Sequence, residues 1–149
     1  MVRLFFFFIA LHLVFLCSAQ KNWQSINHKN GFHLLLPAYF KPGLLVASGT
    51  LQYYDNTLDS ALLVTVETFG KGTRAALQQE YKDQLQRNSV TYSVLKSKWF
   101  VVSGTDDEGV FYLKTIISDK LMHHLRISFP PEKKPEADKF LGKMAASFH

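Results

Sequence analysis

The stretch from Lys98 to Pro130 constrains the fold most strongly. It contains three runs rich in Val, Ile, Phe, Tyr and Thr, separated by short polar breaks at 105–109 and 119–120. β-Branched and aromatic residues between Asp-, Gly- and Lys-containing breaks are typical of strands joined by tight turns. The stretch therefore predicts an antiparallel three-stranded meander, and no catalytic motif lies on it.

Further strands and two helices flank this meander. Strands are predicted at 23–26, 32–36, somewhere within 44–54, at 61–69 and at 90–96, with a loop at 38–43. Asn30-Gly31 is a turn dipeptide that predicts a hairpin. Apolar residues at helical spacing predict one helix at 73–87, with Thr73 as its N-cap, and another that begins near Pro135. Sequential hairpins and two amphipathic helices predict one α+β domain, an antiparallel sheet with helices packed on it.

The N-terminus is typical of a secretory signal peptide. Arg3 precedes a nearly unbroken apolar run at 4–16, and small residues follow it up to Ala19. The run of about 13 residues is shorter than the roughly 20 that cross a bilayer. We therefore expect a cleaved signal at 1–19, a mature domain at 20–149 and no transmembrane segment after cleavage. Lipidation of Cys17 is an alternative, which Leu16 fits badly.

Removal of the signal leaves a mature chain of simple composition. Cys17 is the only cysteine, so the mature chain has no disulfide, thiolate metal site or cysteine nucleophile. It keeps 16 lysines and arginines against 12 aspartates and glutamates, a side-chain net charge of +4. This mild excess suits weak contact with anionic surfaces and is not a nucleic-acid-binding pattern. The expected location is periplasmic or secreted.

Several local segments resemble the PsbP-like and DcrB-like domains. They are Gly31–Pro37, the run 99–104 followed by 111–114, and the ending 127–130 followed by a helix and 145–148. The resemblance covers nearly all of 20–149, and its motifs are structural. It implies a PsbP/DcrB-like α/β sandwich and a mostly accessory or binding role, as in extrinsic photosystem subunits, a Ran-binding import factor and exported bacterial envelope proteins. It supplies no catalytic residue.

Two histidines and one serine are candidates for chemistry. His123 and His124 are neighbours on a predicted strand, so they point to opposite faces and cannot readily share a metal ion. His123 has the parity of the apolar residues, which predicts a core histidine with a backbone or hydroxyl partner, whereas His124 is assigned to a more polar side. Ser103 lacks the surroundings of a nucleophile elbow. We expect no metal, no cofactor and no catalytic residue.

The charged segments have structural interpretations as well. Residues 106–109 lack the alternation of a calcium loop and predict a solvated hairpin turn, as do 55–60. Gly70–Thr73 is shorter than a P-loop and predicts a turn before a helix. Lysines beside Trp99 and before the last helix predict a solvated face, or contact with an anionic envelope component.

These observations favour an exported, non-catalytic binding or accessory protein of the bacterial envelope, with an unidentified protein partner. Four aromatic residues near loops form the predicted contact patch: Tyr39, Phe40, Tyr53 and Tyr54. Two alternatives stay open. One is a carrier of a small apolar ligand between sheet and helix. The other is a small hydrolase assembled from distant residues, with Ser103, Asp106 and the two histidines at 123–124 as suspects.

Overall fold

The computed structural model describes residues 23–43, 50–55 and 61–149, and of residues 51–55 only the backbone. The predicted signal peptide and most of the predicted turn at 55–60 lie outside these ranges. The described part of the chain has an α+β fold with the expected order of elements.

A seven-stranded antiparallel sheet forms the centre of the fold, with the strand order β3-β4-β5-β9-β8-β7-β6. Its strands are β3 (Phe40–Pro42), β4 (Leu51–Asp55), β5 (Leu63–Lys71), β6 (Ser89–Leu95), β7 (Trp99–Asp106), β8 (Gly109–Ser118) and β9 (Leu121–Phe129). Strands β7, β8 and β9 pair in sequence, which confirms the predicted meander.

Two layers cover the sheet. On one side, helix α1 (Arg74–Arg87) packs against β6, β7 and β8. On the other side lie helix α2 (Lys134–Ser147) and a separate hairpin of β1 (Trp23–His28) and β2 (Phe32–Pro37). We call these two sides of the sheet the α1 face and the α2 face.

Alternation along the strands supplies a core to each face. On the α2 face, Val64, Leu125 and Ile127 pack with the hairpin and with Phe140 and other α2 residues. On the α1 face, a smaller core is built from Leu77, Phe100, Val102, Phe111, Leu113 and Met122. Side chains on neighbouring positions of a strand point to opposite faces, so one sheet contributes side chains to both cores.

The helix signals in the sequence are confirmed. Thr73 caps α1, because its Oγ1 accepts a hydrogen bond from the Ala76 N–H at 3.1 Å. Pro135 lies in the first turn of α2, where its missing N–H costs no helical hydrogen bond.

Two boundaries differ from the prediction. The loop expected at 38–43 contains the short strand β3, which pairs with β4. Strand β5 continues past Gly70 to Lys71, with an irregularity in its pairing to β9 between Phe69 and Lys71. Glycine at 70 permits this because its φ is +56°, a value that side-chain-bearing residues rarely adopt.

The hairpin is attached to the last residues of the chain. The backbones of His33 and His149 exchange both hydrogen bonds, at 2.8 and 3.3 Å. Ser147 Oγ accepts from the Leu35 N–H at 2.8 Å and donates to the Met144 carbonyl at 2.7 Å. These bonds hold the hairpin against α2. The hairpin does not reach the rest of the α2 face, which borders a groove.

Candidate binding groove

A groove lies between α2 and the part of the α2 face that the hairpin does not reach. Its volume is about 350 Å³. It is lined by Tyr92, Trp99, Val101, Tyr112, Lys114, Leu141, Gly142, Ala145 and Ala146. Three aromatic side chains and a mostly apolar lining are the composition of surfaces that bind ligands or partners. We call this surface the aromatic groove.

Strand register places the sheet residues of the groove side by side. Ser103 pairs with Tyr92 on one side and with Tyr112 on the other, and Val101 pairs with Lys114. Since directly paired residues of antiparallel strands share a face, all of them point towards α2. The intervening residues of the same strands, such as Phe100, fill the core under α1.

Small residues on α2 keep the groove open. Gly142, Ala145 and Ala146 present little side-chain volume towards it, and a Cβ added at Gly142 would have no heavy atom within 4 Å. Gly142 lies inside a helix, where glycine costs about 1 kcal/mol relative to alanine. The sequence therefore accepts a less stable helix at the position that borders the groove.

Lys114 fixes the end of α2 over the sheet. Its Nζ donates to the carbonyls of Ala145 and Phe148 at 2.7 and 2.8 Å, and lies 5.8 Å from the centre of the Trp99 ring. The last carbonyls of a helix have no intrahelical donor, so the half-buried ammonium group of Lys114 satisfies them. Burial lowers the pKa of Lys114 from its ordinary value. Its role is to position the wall of the groove.

Tyr112 is a protonated phenol throughout the physiological range. Burial, and in second place the neighbouring Tyr92 phenol, raise the pKa of Tyr112 to about 12. Tyr92 itself is 57% exposed, the largest value among the exposed large hydrophobic residues of the described chain. The groove thus offers aromatic surface and a neutral hydroxyl, without an ionised group of its own that could act as a base.

A larger cleft of about 630 Å³ lies at the other end of β6 and β7 and is polar. Its strongest donor, Arg126, is already bound: its guanidinium pairs with Asp106, donates to Ser128 Oγ at 3.1 Å and lies over the Phe111 ring. Glu108 belongs to the predicted hairpin turn, which is confirmed, and its N–H donates to Asp106 Oδ1 at 3.0 Å. These internal pairs make the cleft a weaker candidate than the groove.

His123 is the core histidine that the sequence predicts. It is fully buried on the α2 face, and its Nε2 lies 3.3 Å from the Ser118 carbonyl. A carbonyl only accepts, so Nε2 carries the proton and Nδ1 accepts from Thr68 Oγ1 at 2.9 Å. Burial lowers the pKa of His123 from its ordinary value.

His124 lies on the opposite face, as parity predicts, on the side of Arg126 and Glu80, and it is half-buried there. Helix α1 covers the residue, and its ring packs edge-on against Phe69 with centroids 4.1 Å apart. Nε2 has no hydrogen-bond partner, and Glu80 Oε1 lies 3.9 Å away, beyond hydrogen-bond length. Burial, followed by the charge of Arg126, lowers the pKa of His124 to about 3.

The suspects for a hydrolytic site do not converge. His123 and His124 are on opposite faces, Ser103 lies on β7 two strands from both, and Asp106 is paired with Arg126 in the polar cleft. Another serine–histidine contact was not predicted: Ser25 Oγ lies 3.1 Å from His33 Nε2, whose Nδ1 lies 3.1 Å from the Ser147 carbonyl. It lies on the hairpin, away from both cavities, and links the hairpin to α2.

The predicted aromatic patch is split between interior and surface. Phe40 is 1% exposed and packs edge-on against Phe140, so this residue belongs to the core. Tyr39 is 39% exposed and lies on the Phe40 ring. Tyr53 and Tyr54 are on β4, opposite Pro42 and Lys41, and their side chains are outside the described residues. A contact role for this patch stays a prediction.

Sequence reasoning missed the aromatic groove, although it identified the strands that carry it. The signal is the alternation of Trp99, Val101 and Ser103 with more apolar neighbours, which places polar and aromatic side chains on one face. It does not show which part of that face a helix covers. That depends on where α2 crosses the sheet, and helix placement is not encoded in a local pattern.

In 23–43, 50–55 and 61–149, no group of three or more His, Cys, Asp or Glu side chains could hold a metal ion. None of the helices in these ranges is long and apolar enough to span a membrane.

The fold resembles that of solved structures that include a cyanobacterial PsbP. Cyanobacterial PsbP (CyanoP) from Synechocystis sp. PCC 6803 superposes with a TM-score of 0.60 at 13% identity, over 86% of this chain and 92% of that one. A protein of Bacteroides thetaiotaomicron superposes with a TM-score of 0.57 at 8% identity, over 86% of this chain and 48% of that longer one. No family model and no curated protein matches the sequence significantly. The resemblance of fold that the local segments predict is confirmed, and the chain has a PsbP-like α+β fold.

Proposed function

We propose that the chain is an exported, non-catalytic binding or accessory protein of the bacterial envelope, and that the aromatic groove is its contact surface. The observation that carries the proposal is the groove itself, an apolar and aromatic surface that the fold leaves uncovered beside α2. A contiguous apolar surface rimmed by polar residues marks an interaction site or a ligand groove, whereas single exposed apolar residues do not. The PsbP-like fold supports an accessory role.

Export is supported by the basic, apolar and small-residue pattern of residues 1–19. Expression of the full chain in a bacterial host, followed by fractionation and mass measurement of the N-terminus, tests this part separately. We expect a periplasmic or secreted form that begins at Gln20. Recovery of an intact Met1 in the cytoplasm would overturn the export proposal and leave the groove proposal standing.

Partner capture tests the contact surface. The bait is the chain from Gln20 to His149, which includes every described helix and strand, immobilised and exposed to envelope extract at low and moderate salt. We expect a specific protein that is retained at both salt concentrations and lost with the double variant Tyr92→Ala, Trp99→Ala. Retention that vanishes with salt would instead report the net charge of +4, through screened surface attraction.

The matched control uses the patch predicted from sequence. Tyr39→Ala alters an exposed aromatic residue on the other edge of the sheet, and should leave capture unchanged. If Tyr39→Ala or the pair Tyr53→Ala, Tyr54→Ala abolishes capture while the groove variant retains it, the contact surface is the patch on β3 and β4. The groove proposal would then be wrong.

A carrier of a small apolar ligand is the second candidate, because the groove lies between sheet and helix as that function requires. Gly142→Leu provides a sharp test, since the added side chain enters open space and replaces a poor helix former. Native mass spectrometry of the protein from its own envelope should show a bound small molecule that Gly142→Leu removes without loss of fold. A wild-type chain that carries no ligand would exclude the carrier function.

A further inference from the structure

Strand β6 borders the aromatic groove and is unusual for the edge of a sheet. The two edges of the seven-stranded sheet are β3 and β6. Natural proteins protect such edges with short strands, prolines or charged residues, because an unpaired strand invites pairing with another chain. Strand β3 follows this rule: it has three residues, and Lys41 and Pro42 are two of them.

Strand β6 has none of these three protections. Its seven residues include no charge and no proline, and consist of Ser, Val, Thr, Tyr and Leu. Its one irregularity lies between Val90 and Tyr92, where the register to β7 shifts and the Thr91 hydroxyl donates to the Ser103 carbonyl at 3.3 Å. From Tyr92 to Leu95 the pairing to β7 is regular. Beyond the bulge, no strand of the described residues pairs with the outer side of these four residues.

We propose that β6 accepts an extended polypeptide segment of a partner as an additional antiparallel or parallel strand, with alternate side chains of that segment packed beside Tyr92 on the aromatic groove. The inference rests on the proposed binding function and specifies its mode. Strand addition obtains affinity from main-chain hydrogen bonds and specificity from pockets for alternate side chains. Both parts are present here, since the free edge and the groove are adjacent.

The charge beside β6 favours a partner segment with an acidic end. The turn that follows β6 carries two exposed lysines, Lys96 and Lys98, whereas β6 itself is neutral. A segment that runs along β6 and ends beside this turn is therefore favoured when it has an Asp or Glu at that end. The expected partner segment is short, apolar at alternate positions and acidic at one end.

A second copy of this chain fits less well. Antiparallel pairing of β6 with itself about Tyr92 would place Arg87 of one copy next to the Lys96–Lys98 turn of the other, at both ends of the pair. Arg87 is exposed, and its ion pair with Asp83 is long at 4.0 Å, so it offers little compensation. Like charges at both ends oppose this pairing.

The experiment selects displayed random 12-residue peptides against the chain from Gln20 to His149, and measures the affinity of the synthesised binders. We expect binders with alternating apolar residues and a terminal Asp or Glu. N-methylation of alternate peptide amides should reduce affinity by about tenfold or more at one parity and leave the other parity unchanged, because only every second amide faces the edge.

Variants of the protein test the same geometry. Of the adjacent residues Ser93 and Val94, one N–H faces β7 and the other faces outwards, so Ser93→Pro and Val94→Pro are both made. The variant whose melting temperature equals that of the wild type carries its proline at the outward-facing position. This variant should no longer bind the selected peptides. Lys96→Glu with Lys98→Glu should weaken acidic peptides by about tenfold, whereas Lys41→Glu on the opposite edge should not.

Failure of strand addition and failure of the proposed binding function would give different results. Binders that tolerate methylation at every amide, or a well-folded proline variant that still binds them, would overturn strand addition. If the envelope partner still depends on Tyr92 and Trp99 in that case, the proposed binding function survives. Concentration-dependent self-association that the proline variant abolishes would identify a second copy as the occupant, and would also overturn the proposal.

Discussion

The two faces of strands β6 to β8 share one backbone but differ in how far their side chains are buried. On the α1 face, Phe100, Val102 and Leu113 are buried under a helix. On the α2 face, the neighbouring residues Trp99, Ser103 and Tyr112 are only partly covered. The difference arises because α2 contacts the hairpin strand β2 and the central strand β9, whereas α1 lies over β6 to β8. A single sheet can thus be a closed core on one face and a binding surface on the other.

The largest expected effect separates stability from binding. Phe100→Ala removes a fully buried ring from the α1 face and should lower the free energy of unfolding by about 3–5 kcal/mol. Chemical denaturation of the variant measures this loss. A loss below about 1 kcal/mol would contradict the description of the α1 face as a closed core.

Acid should destabilise the fold through the histidine that lies on each face. The folded-state pKa of His124 is depressed to about 3, so below the unfolded value of 6.5 the unfolded chain binds a proton that the folded chain does not. Stability is therefore complete above pH 6.5 and falls as the pH decreases. The His124 contribution to this loss should be about 2 kcal/mol at pH 5.

His124→Gln should remove that part of the pH dependence, and His123→Gln on the opposite face should remove a further part of the same sign, since burial also lowers the pKa of His123. Urea denaturation of the two variants between pH 5 and 7 measures how steeply the free energy of unfolding of each depends on pH. A wild-type slope that neither variant reduces would show that the buried histidines do not control acid stability.

Lys114→Met tests the wall of the groove. The substitution keeps most of the apolar stem and deletes two hydrogen bonds to carbonyls at the end of α2. We expect a loss of about 1–2 kcal/mol in the free energy of unfolding. Faster amide exchange should be confined to the last turn of α2. Equal loosening of α1 would show that Lys114 acts on the whole fold rather than on the groove.

The smallest expected effect on stability belongs to Tyr92. It is 57% exposed, so Tyr92→Ala should change the free energy of unfolding by no more than about 0.5 kcal/mol. The same variant should reduce binding of the selected peptides. A large loss of stability without a loss of binding would reverse the assignment of Tyr92 from the binding surface to the core.

Local pattern was sufficient for much of the fold. The meander at 98–130, the hairpin turn at Asn30-Gly31 and the Thr73 cap depend on a few adjacent residues, and each is confirmed. Parity correctly placed His123 and His124 on opposite faces. These features could be predicted because strand alternation and helix capping are local in the chain.

The candidate site could not be predicted in the same way. The uncovered part of the α2 face depends on how α2 crosses a sheet whose edge strands are far apart in sequence. The partial burial of His124 has the same origin, because α1, from another part of the chain, covers this residue beside its polar strand neighbours Arg126 and Ser128. Phe40 likewise belongs to the core through contact with Phe140, one hundred residues later.

The link between the hairpin and the last helix has a consequence for how the chain is made. His33 and Leu35 bond to residues 147 and 149, so the earliest strands find their partners only when synthesis has reached the far end. Until then Phe32, Leu34 and Leu36 have no core to enter. Closure over such long separations is slow. A nascent chain with this connectivity cannot complete the α2 face of its sheet before residue 149 has been made.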